Sequence, residues 1–471
     1  MEEILIATGG VLLAGPRQGR IHRLCTDSRK IQPGDLFIAL KGPHFDGHRF
    51  VPEAFKQGAI GAVVEESSRG KVLATAQKVR SSWEIPTPLV ICVGDTLVAY
   101  QEMAAYHRRR FRIPVVAVTG SNGKTTTKEM VAAALKTRWR VLKTLGNLNN
   151  SIGLPQTLLG LTRRHDVAVI EMGVDQKGQT TRLCEIARPT LGVVTNIGPD
   201  HLEFFGSLEG SALAKAELLA CLPNDGTIVI NADDAYYDFL KNQARCRVVS
   251  FGLSARAQIR GSHVVPQGNR TAFRVRVPGR ARAPQMSVGA LGSHNVSNAL
   301  AAVAVGHVLG LSLSKIAGGL GRFRPADMRS QIRWCKGIRV LHDCYNANPV
   351  SMRAAVDLLV ELGVGKRTVA VMGDMLELGP DAKRLHREVG GYLAGREVSY
   401  LIACGGLGRE FAKGARAAGM ARRQIFEAEG VPEASELLKG LAHQGDVVLL
   451  KASRAMRMEK VLDDLSSVRK K

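Results

Sequence analysis

Apolar and polar residues divide the chain into three stretches of different rhythm. The first, to about residue 110, holds short apolar runs such as Asp35-Leu36-Phe37-Ile38-Ala39-Leu40 and Ala62-Val63-Val64 between Gly and Pro turns. Runs of that length bounded by turn residues predict short strands. A helical pattern over Val98–Phe111 follows and turns basic at Arg108, Arg109 and Arg110. The second stretch opens on Pro114-Val115-Val116-Ala117-Val118-Thr119, an unbroken apolar run of the kind that a parallel strand buried on both faces requires. A Gly-rich turn and a helix from about Thr125 to Lys136 come next, and apolar runs recur at Val167–Ile170, Leu191–Thr195 and Thr227–Ile230 with helical segments between them. That alternation predicts an open α/β sheet. From Arg247 to Val277 the rhythm shortens to alternating strands, as in Ala272-Phe273-Arg274-Val275-Arg276-Val277. The third stretch starts near Gly321 and returns to α/β alternation, with strands at Arg339–His342, Thr368–Met372, Ser399–Ala403 and Asp446–Lys451.

Length agrees with this division, since 471 residues make about three domains at roughly 100–200 residues each. A hydrophobic fraction of 45% is that of globular proteins and excludes general disorder. No apolar run approaches the ~18 residues of a membrane helix. Met1-Glu2-Glu3 does not open a signal peptide. The eight cysteines show no CxxC spacing, so they read as buried thiols of a reducing compartment and not as a disulfide framework or zinc site. Together these features place the expected location in the cytoplasm. The tail Arg469, Lys470, Lys471 is expected to fray.

Charge adds a question. The net charge is +23, and between Asp238 and Asp327 thirteen Lys or Arg stand without one acidic residue. Arg245, Arg247, Arg256, Arg260, Arg270, Arg274, Arg276, Arg280 and Arg282 fill the first half of that stretch. Such a field attracts anions. Nucleic acid is not expected, because aromatics are only 5% and no stacking motif accompanies the arginines. A solvated basic face is the plain reading; attraction of phosphorylated substrates or transient association with an acidic membrane surface are the alternatives.

The strongest chemical signal is Thr119-Gly120-Ser121-Asn122-Gly123-Lys124-Thr125-Thr126-Thr127, set where a buried strand turns into a helix. There, backbone N–H groups and the helix N-terminus face an anion. Gly120 and Gly123 let the backbone approach a phosphate, Lys124 can reach the β- and γ-phosphates, and Thr125 can ligate Mg²⁺. Val118 stands where the longer loop template has its first glycine, so this is a short Gly-x-x-Gly-Lys-Thr variant. Glu171 ends the run Asp166–Ile170 and can hold Mg²⁺ beside the loop, as acidic strand residues do in other phosphate-loop enzymes. His201 follows another strand's carboxyl end, where open α/β sheets bind ligands. By pattern alone Lys215 reads as an exposed helix lysine paired with acidic neighbours. Ser293 or Asn295 reads as a cap of an Ala-rich helix, with an adenine-reading Asn as the alternative. His342-Asp343-Cys344-Tyr345-Asn346-Ala347-Asn348-Pro349 suits a ligand site and a capped turn equally. Gly373-Asp374-Met375 ends the next strand in the same manner.

Taken together, these residues resemble the Mur ligase family of ATP-dependent amide ligases over nearly the whole chain. Thr26-Asp27-Ser28-Arg29, Gly34-Asp35-Leu36-Phe37 and Gly42 with Asp46-Gly47-His48 carry the resemblance in the first stretch. Gly146-Asn147-Leu148-Asn149-Asn150-Ser151-Ile152-Gly153, Asp343–Pro349 and Gly373-Asp374-Met375-Leu376-Glu377-Leu378-Gly379 select the branch. That branch joins D-alanyl-D-alanine to UDP-N-acetylmuramoyl-tripeptide. The sister enzyme adding the third residue typically has Tyr-Ala-His where this chain has Tyr345-Asn346-Ala347, and its diaminopimelate-type members carry an Asp-Asn-Pro-Arg motif absent here. Asp200 departs from the branch, which more often has a small residue before the His; Asp-His occurs in sister ligases.

The resemblance implies an α/β fold of three domains. A smaller α/β domain (1–111) would bind the UDP-muramoyl substrate, and a central ATPase with a mostly parallel sheet (112–321) would bind Mg-ATP. A Rossmann-like domain (322–471) would close over ATP and the dipeptide. It implies Asp27, Ser28, Arg29, Gly47, His48 and Asn150 at the UDP substrate. Gly120, Ser121, Asn122, Gly123, Lys124, Thr125, Thr126, Asn295, Arg329 and Asp343 would serve ATP. Tyr345, Asn346 and Asn348 would line the dipeptide site. Thr125, Glu171, His201 and a carbamylated Lys215 would hold two Mg²⁺ ions, and Lys124, Glu171, His201 and Lys215 would be catalytic. The expected partners are the UDP-tripeptide and the dipeptide, with no transmembrane segment and a monomeric enzyme. The expected chemistry is attack of a carboxylate on ATP, giving an acyl phosphate that the dipeptide amine opens. A sister ligase adding a single amino acid (diaminopimelate or lysine), or a basic nucleic-acid-binding ATPase, would be the competing readings.

Overall fold

The structure is a computed structural model that describes every residue except 18, 19, 43, 44, 84–86 and 467–471. The basic tail Arg469–Lys471 lies outside the described residues. Two compact units form: one of residues 1–112, 148–163 and 185–188, the other of 113–147, 164–184 and 189–471.

In the first unit, strands β1 (Val11–Ala14), β2 (Arg23–Cys25), β3 (Asp35–Ile38), β6 (Gly61–Glu65) and β7 (Leu89–Val93) make a sheet in the order β1-β7-β6-β3-β2, and β4 (Lys41–Gly42) pairs with β5 (Phe45–Asp46). Only β1 runs antiparallel to its neighbour in the larger sheet. The buried side chains of Leu36, Ile38, Val63 and Ile91 on one face meet Tyr100 and Met103 of the helix Thr96–Arg109, the helix expected from the pattern over residues 98–111. A cleft of about 1240 Å³ runs along the edge strand β2, with Arg20, Arg23, Asp27, Tyr100, Tyr106 and Arg110 among its walls.

The second unit holds two sheets. The larger contains β8 (Val115–Thr119), β9 (Val141–Lys143), β10 (Val167–Glu171), β11 (Leu191–Val194), β12 (Thr227–Asn231), β13 (Arg247–Gly252), β14 (Ile259–Gln267), β15 (Arg270–Arg276) and β16 (Gln285–Val288). Its order is β16-β15-β14-β13-β12-β11-β8-β10-β9. The strands from β9 across to β14 are parallel, and β15 and β16 extend the sheet antiparallel. This explains the change of sequence rhythm: central strands such as β8 are buried throughout, whereas β15 alternates, with Phe273 and Val275 in the core and Arg274 and Arg276 exposed. Arg245, Arg247, Arg280 and Arg282 are exposed as well, the solvated basic face of the plain reading.

The smaller sheet contains β17 (Gln331–Cys335), β18 (Ile338–His342), β19 (Thr368–Gly373), β20 (Tyr400–Cys404), β21 (Ile425–Ala428) and β22 (Val447–Lys451), in the order β17-β18-β22-β19-β20-β21. Helices on both faces bury it within two apolar clusters. Among the described residues, no helix is long and apolar enough to cross a membrane.

Candidate active site

Strand β8 ends at Thr119, and the helix Lys124–Leu135 starts four residues after Gly120. The turn between them works because Gly120 and Gly123 adopt φ +132 and +77, conformations that side chains strain. The loop is clamped from β11's end. Thr195 Oγ1 donates to Asn122 O at 2.6 Å, Asn122 N donates to Asn196 Oδ1 at 2.9 Å, and Asn196 Nδ2 returns to Asn122 O at 3.0 Å. Lys124 Nζ curls over the loop to Gly120 O at 2.6 Å and Ser121 O at 3.2 Å.

Thr125 and Glu171 meet as their sequence positions suggested: Thr125 Oγ1 donates to Glu171 Oε1 at 2.9 Å, with both residues buried. Two oxygen donors side by side at a phosphate loop are hard ligands of the kind Mg²⁺ takes. Mg²⁺ commonly uses one or two protein groups and leaves its remaining positions to phosphate and water. The residues present therefore fit the ion. Behind Glu171 lies Lys128, fully buried, its Nζ 2.8 Å from Thr144 O and from Glu129 Oε1, and 3.8 Å from Glu171 Oε2. Sequence reasoning missed Lys128. Its signal was position, one helical turn beyond Lys124 on a helix whose Thr127, Lys128, Met130 and Val131 are buried.

Lys215 corrects an expectation. It is 1% exposed, not a surface lysine, and its counter-charge is not an acidic helix neighbour but Asp200, whose Oδ1 accepts Lys215 Nζ at 3.0 Å; Nζ also donates to Ser211 Oγ at 2.8 Å. The same Oδ1 accepts Ser121 Oγ at 2.6 Å and Ser211 Oγ at 3.0 Å. Burial pushes the Lys215 ammonium down to about 8, assisted by nearby Lys124 and opposed by Asp200. Burial alone would raise the Asp200 carboxyl, but the charges of Lys215 and Lys124 and the hydrogen bonds from Ser121 and Lys215 together hold it below the usual range. His201 sits at φ +51 with Nδ1 2.6 Å from Glu377 Oε2.

The helix Ser293–Val308 has Gly292 at its cap position and no capping side chain, so the expected cap by Ser293 or Asn295 is not formed. Asn295 is instead buried, with Nδ2 on Leu291 O at 2.8 Å and Oδ1 accepting Asn298 Nδ2 at 3.2 Å. Asn298 reaches back to the loop helix, its Oδ1 accepting Thr127 Oγ1 at 3.1 Å. In the smaller sheet's block, Arg329 stacks over the Tyr345 ring at 3.8 Å between Met328 and Ser330, both at positive φ. Asp343 is held by Ser330 N at 2.8 Å and Lys451 Nζ at 2.6 Å. Lys451 Nζ also donates to Asn346 O at 3.1 Å. Lys451 ends strand β22, and the strand-end argument that singled out Glu171 would have found it. Asn348 does cap the helix Pro349–Leu362, and its Nδ2 donates to Asn122 Oδ1 at 2.8 Å. Phosphate loop and Asn348 are therefore neighbours in this structure.

The first unit spends several of its candidate residues internally. Asp27 accepts Arg29 N at 3.1 Å and Arg29 Nε at 2.9 Å, and that guanidinium holds its carboxyl below the usual range. Ser28 starts the single turn that Asp27 caps. His48 uses both ring nitrogens, Nδ1 with Asp46 Oδ1 at 2.7 Å and Nε2 accepting Glu65 N at 2.9 Å. Gly47 donates its N–H to Leu40 O at 2.8 Å, too close an approach for a side chain. Asn150 Oδ1 accepts Gly153 N at 2.9 Å, from the first residue of the helix Gly153–Leu159.

A phosphate loop after the first strand of a parallel sheet, with a strand-end carboxylate at its hydroxyl, defines a nucleotide-binding α/β protein built for phosphoryl chemistry. Three family descriptions match along the chain: "Mur ligase family, catalytic domain" over residues 20–108, "Mur ligase middle domain" over 118–306 and "Mur ligase, glutamate ligase domain" over 328–454. The chain belongs to the Mur ligase family. It is similar to the UDP-N-acetylmuramoyl-tripeptide–D-alanyl-D-alanine ligase of Bacillus subtilis (strain 168), 37% identical with 96% of this chain and 95% of that protein covered. To the Escherichia coli (strain K12) protein of the same name it is 35% identical, with 96% of each covered. Among solved structures, MurF from Acinetobacter baumannii superposes with a TM-score of 0.87 at 30% identity over 99% of this chain and 98% of that one. MurF ligase from Thermotoga maritima in complex with ADP gives 0.81 at 26% over 94% and 97%.

Proposed function

We propose that this protein is the ATP-dependent ligase that joins D-alanyl-D-alanine to the terminal carboxylate of UDP-N-acetylmuramoyl-tripeptide. Whole-length similarity to ligases of that name supports the substrates, and the Thr125–Glu171 pair at the phosphate loop is the observation that supports the chemistry. The substrate carboxylate attacks the γ-phosphorus of ATP, ADP leaves, and an acyl phosphate forms. Two anions must meet, so Lys124 neutralises charge along the transferring group. Mg²⁺, when held by Thr125 and Glu171, supplies further positive charge to the phosphate oxygens. The dipeptide amine then adds to the acyl carbon, and the tetrahedral intermediate expels phosphate. Exclusion of water protects the acyl phosphate, which is the task we assign to the C-terminal domain (322–471) closing on the central one (112–321), with the UDP substrate on 1–111.

Asn295 takes the adenine, and Arg329 and Asp343 take the phosphate and ribose of ATP. Asp27, Ser28, Arg29, Gly47, His48 and Asn150 shape the UDP-substrate site, with Asp27–Arg29 and His48 acting through the turns they fix. Tyr345, Asn346 and Asn348 line the dipeptide site. A second Mg²⁺ at His201 and a carbamylated Lys215 rest on the resemblance. In the present structure Lys215 Nζ is held by Asp200 and Ser211, so carbamylation first requires release of that contact. We place the enzyme in the cytoplasm as a monomer. The test is phosphate release from Mg-ATP with UDP-N-acetylmuramoyl-tripeptide, with and without D-alanyl-D-alanine, together with the product mass. Dipeptide-dependent phosphate and a product heavier by one dipeptide less water are expected; turnover only with a single amino acid and a shorter acceptor would overturn the assignment.

A further inference from the structure

The arginines of residues 245–282 have no task in the ligation just described, and the structure shows where they gather. On β15, Arg274 and Arg276 are exposed while Phe273 and Val275 face the core. The strand runs on into the loop that leads to β16, residues 277–284, where Arg280 and Arg282 are exposed. Arg247 opens β13 and is exposed, as is Arg245. The helix Ser293–Val308 ties these places together. Its last turn carries His307, whose imidazole is lowered first by burial and then by the charges of Arg247 and Arg280, so both arginines stand near it. Asn298, on the same helix, touches the phosphate-loop helix at Thr127. From Asn298 to His307 the helix runs roughly 13 Å, at about 1.5 Å per residue. The basic cluster therefore lies at the end of this helix that points away from the phosphate loop.

These charges are unbalanced. Elsewhere on the surface arginines sit on carboxylates: Arg384 on Asp381 at 3.1 Å, Arg396 on Asp357 at 2.8 Å and Arg454 on Glu459 at 2.7 Å. Within the basic stretch, Arg256 does the same with Asp238. Among the described residues, Arg245, Arg247, Arg274, Arg276, Arg280 and Arg282 form no ion pair. Asp225, two residues before Arg247's cross-strand partner Thr227, makes none with them either. Like charges gathered without counter-charges leave a field that an anionic surface relieves. The loop's chemistry narrows the partner. Pro278, Ala281 and Ala283 are exposed among its arginines, so small apolar side chains go wherever the guanidinium groups go. Phe251 and Phe273, the phenyl rings of this stretch, are each 1% exposed and offer nothing for bases to stack on. Arginines fork onto phosphate oxygens, and basic residues set among apolar ones suit the headgroup layer of a bilayer. We propose that this face docks the protein on an anionic lipid surface, with Arg245, Arg247, Arg280 and Arg282 on lipid phosphates and the phosphate loop left clear. The docking is independent of which substrates the enzyme joins.

Flotation of the full chain with vesicles tests this. One set is phosphatidylcholine alone and the other is phosphatidylcholine and phosphatidylglycerol in equal parts. Binding is expected only to the second, and it weakens as salt rises. Arg280→Gln should lose about fivefold in vesicle affinity and Arg247→Gln/Arg280→Gln about 25-fold, the scale of one and two basic residues at an anionic surface. Arg384→Gln/Arg396→Gln, which removes two paired arginines, should change it less than twofold. Turnover without vesicles and the thermal midpoint should stay as in the unaltered protein for all of these, since every altered side chain is at the surface. Equal binding to both vesicle sets, no binding to either, or an equal loss in the paired-arginine control would overturn the proposal. So would a duplex DNA that, at matched phosphate concentration, strips the protein from the anionic vesicles, because the partner would then be nucleic acid.

Discussion

Gly120→Ala is the change the phosphate loop should tolerate least. A Cβ built there lies 2.0 Å from Thr195 Oγ1, 2.9 Å from Thr195 N and 3.1 Å from Asn196 N, at φ +132. The backbone conformation alone costs a residue with a side chain about 1–3 kcal/mol. The neighbours cannot retreat cheaply. Thr195 N donates to Thr119 O at 3.0 Å across the sheet, and Thr195 Oγ1 clamps Asn122 O at 2.6 Å. Overpacking adds about 1–3 kcal/mol and loss of the clamp about 1 kcal/mol. The sum is about 3–7 kcal/mol. At about 2–4 °C per kcal/mol for a domain of this size, the thermal midpoint should fall by roughly 6–28 °C. Gly123→Ala is the internal control: its Cβ would meet Asn298 Oδ1 at 2.5 Å at φ +77, an obstacle at the end of a side chain and so able to move. Scanning calorimetry of both variants, with and without ADP, reads the difference. If G120A lay within about 1 kcal/mol of the unaltered protein, or if G123A cost more than G120A, the reasoning from close backbone approach would be wrong.

Thr125→Val keeps the shape and removes the hydroxyl that lies 2.9 Å from Glu171 Oε1. Nucleotide affinity in Mg²⁺ should drop about tenfold, the scale of a lost ligand oxygen, while affinity in EDTA stays put; equal losses in both buffers would remove Thr125 from the ion's surroundings. Glu410, 4% exposed, receives Lys413 Nζ at 2.8 Å and the Arg387 guanidinium, and these contacts hold its carboxyl below its usual value. A lowered folded value means stability that is complete above the unfolded value of about 4.3 and lost as pH falls through the folded value. Urea midpoints of Glu410→Gln should therefore trail the unaltered protein at pH 7 and converge with it under acid; a gap that stays constant down to pH 3 would contradict the assignment.

Local periodicity made most of the fold legible. Strands such as β8, β10 and β22 are apolar from end to end because both faces are covered, and the chain alternates them with helices. The phosphate loop and Glu171 were legible for the same reason, since strand ends are where such a sheet exposes chemistry. Residues whose roles depend on distant partners were harder to read. Lys128 lies in the polar run Lys124-Thr125-Thr126-Thr127-Lys128-Glu129, which reads as surface until β9 and β10 bring Thr144 and Glu171 to it. Asn295 reads as a cap because its partners, Leu291 O and Asn298, become visible only once the start of its helix is located.

Lys215 shows where a better reading of the sequence was available. In the helix Leu208–Cys221, the residues Ser211, Ala212, Ala214, Lys215, Leu218 and Leu219 are buried, so Lys215 stands in the apolar stripe that spacing of three and four defines. A lysine in that stripe must have a buried counter-charge or shed its proton. The acidic residue outside the branch's usual pattern, Asp200, is that counter-charge. One of its two oxygens, Oδ1, collects Ser121 from the phosphate loop and Ser211 and Lys215 from the helix. Asp200 and Lys215 thus explain each other: a buried lysine on this helix demands a carboxylate, and the residue before His201 is placed to supply one while tying the loop to the helix.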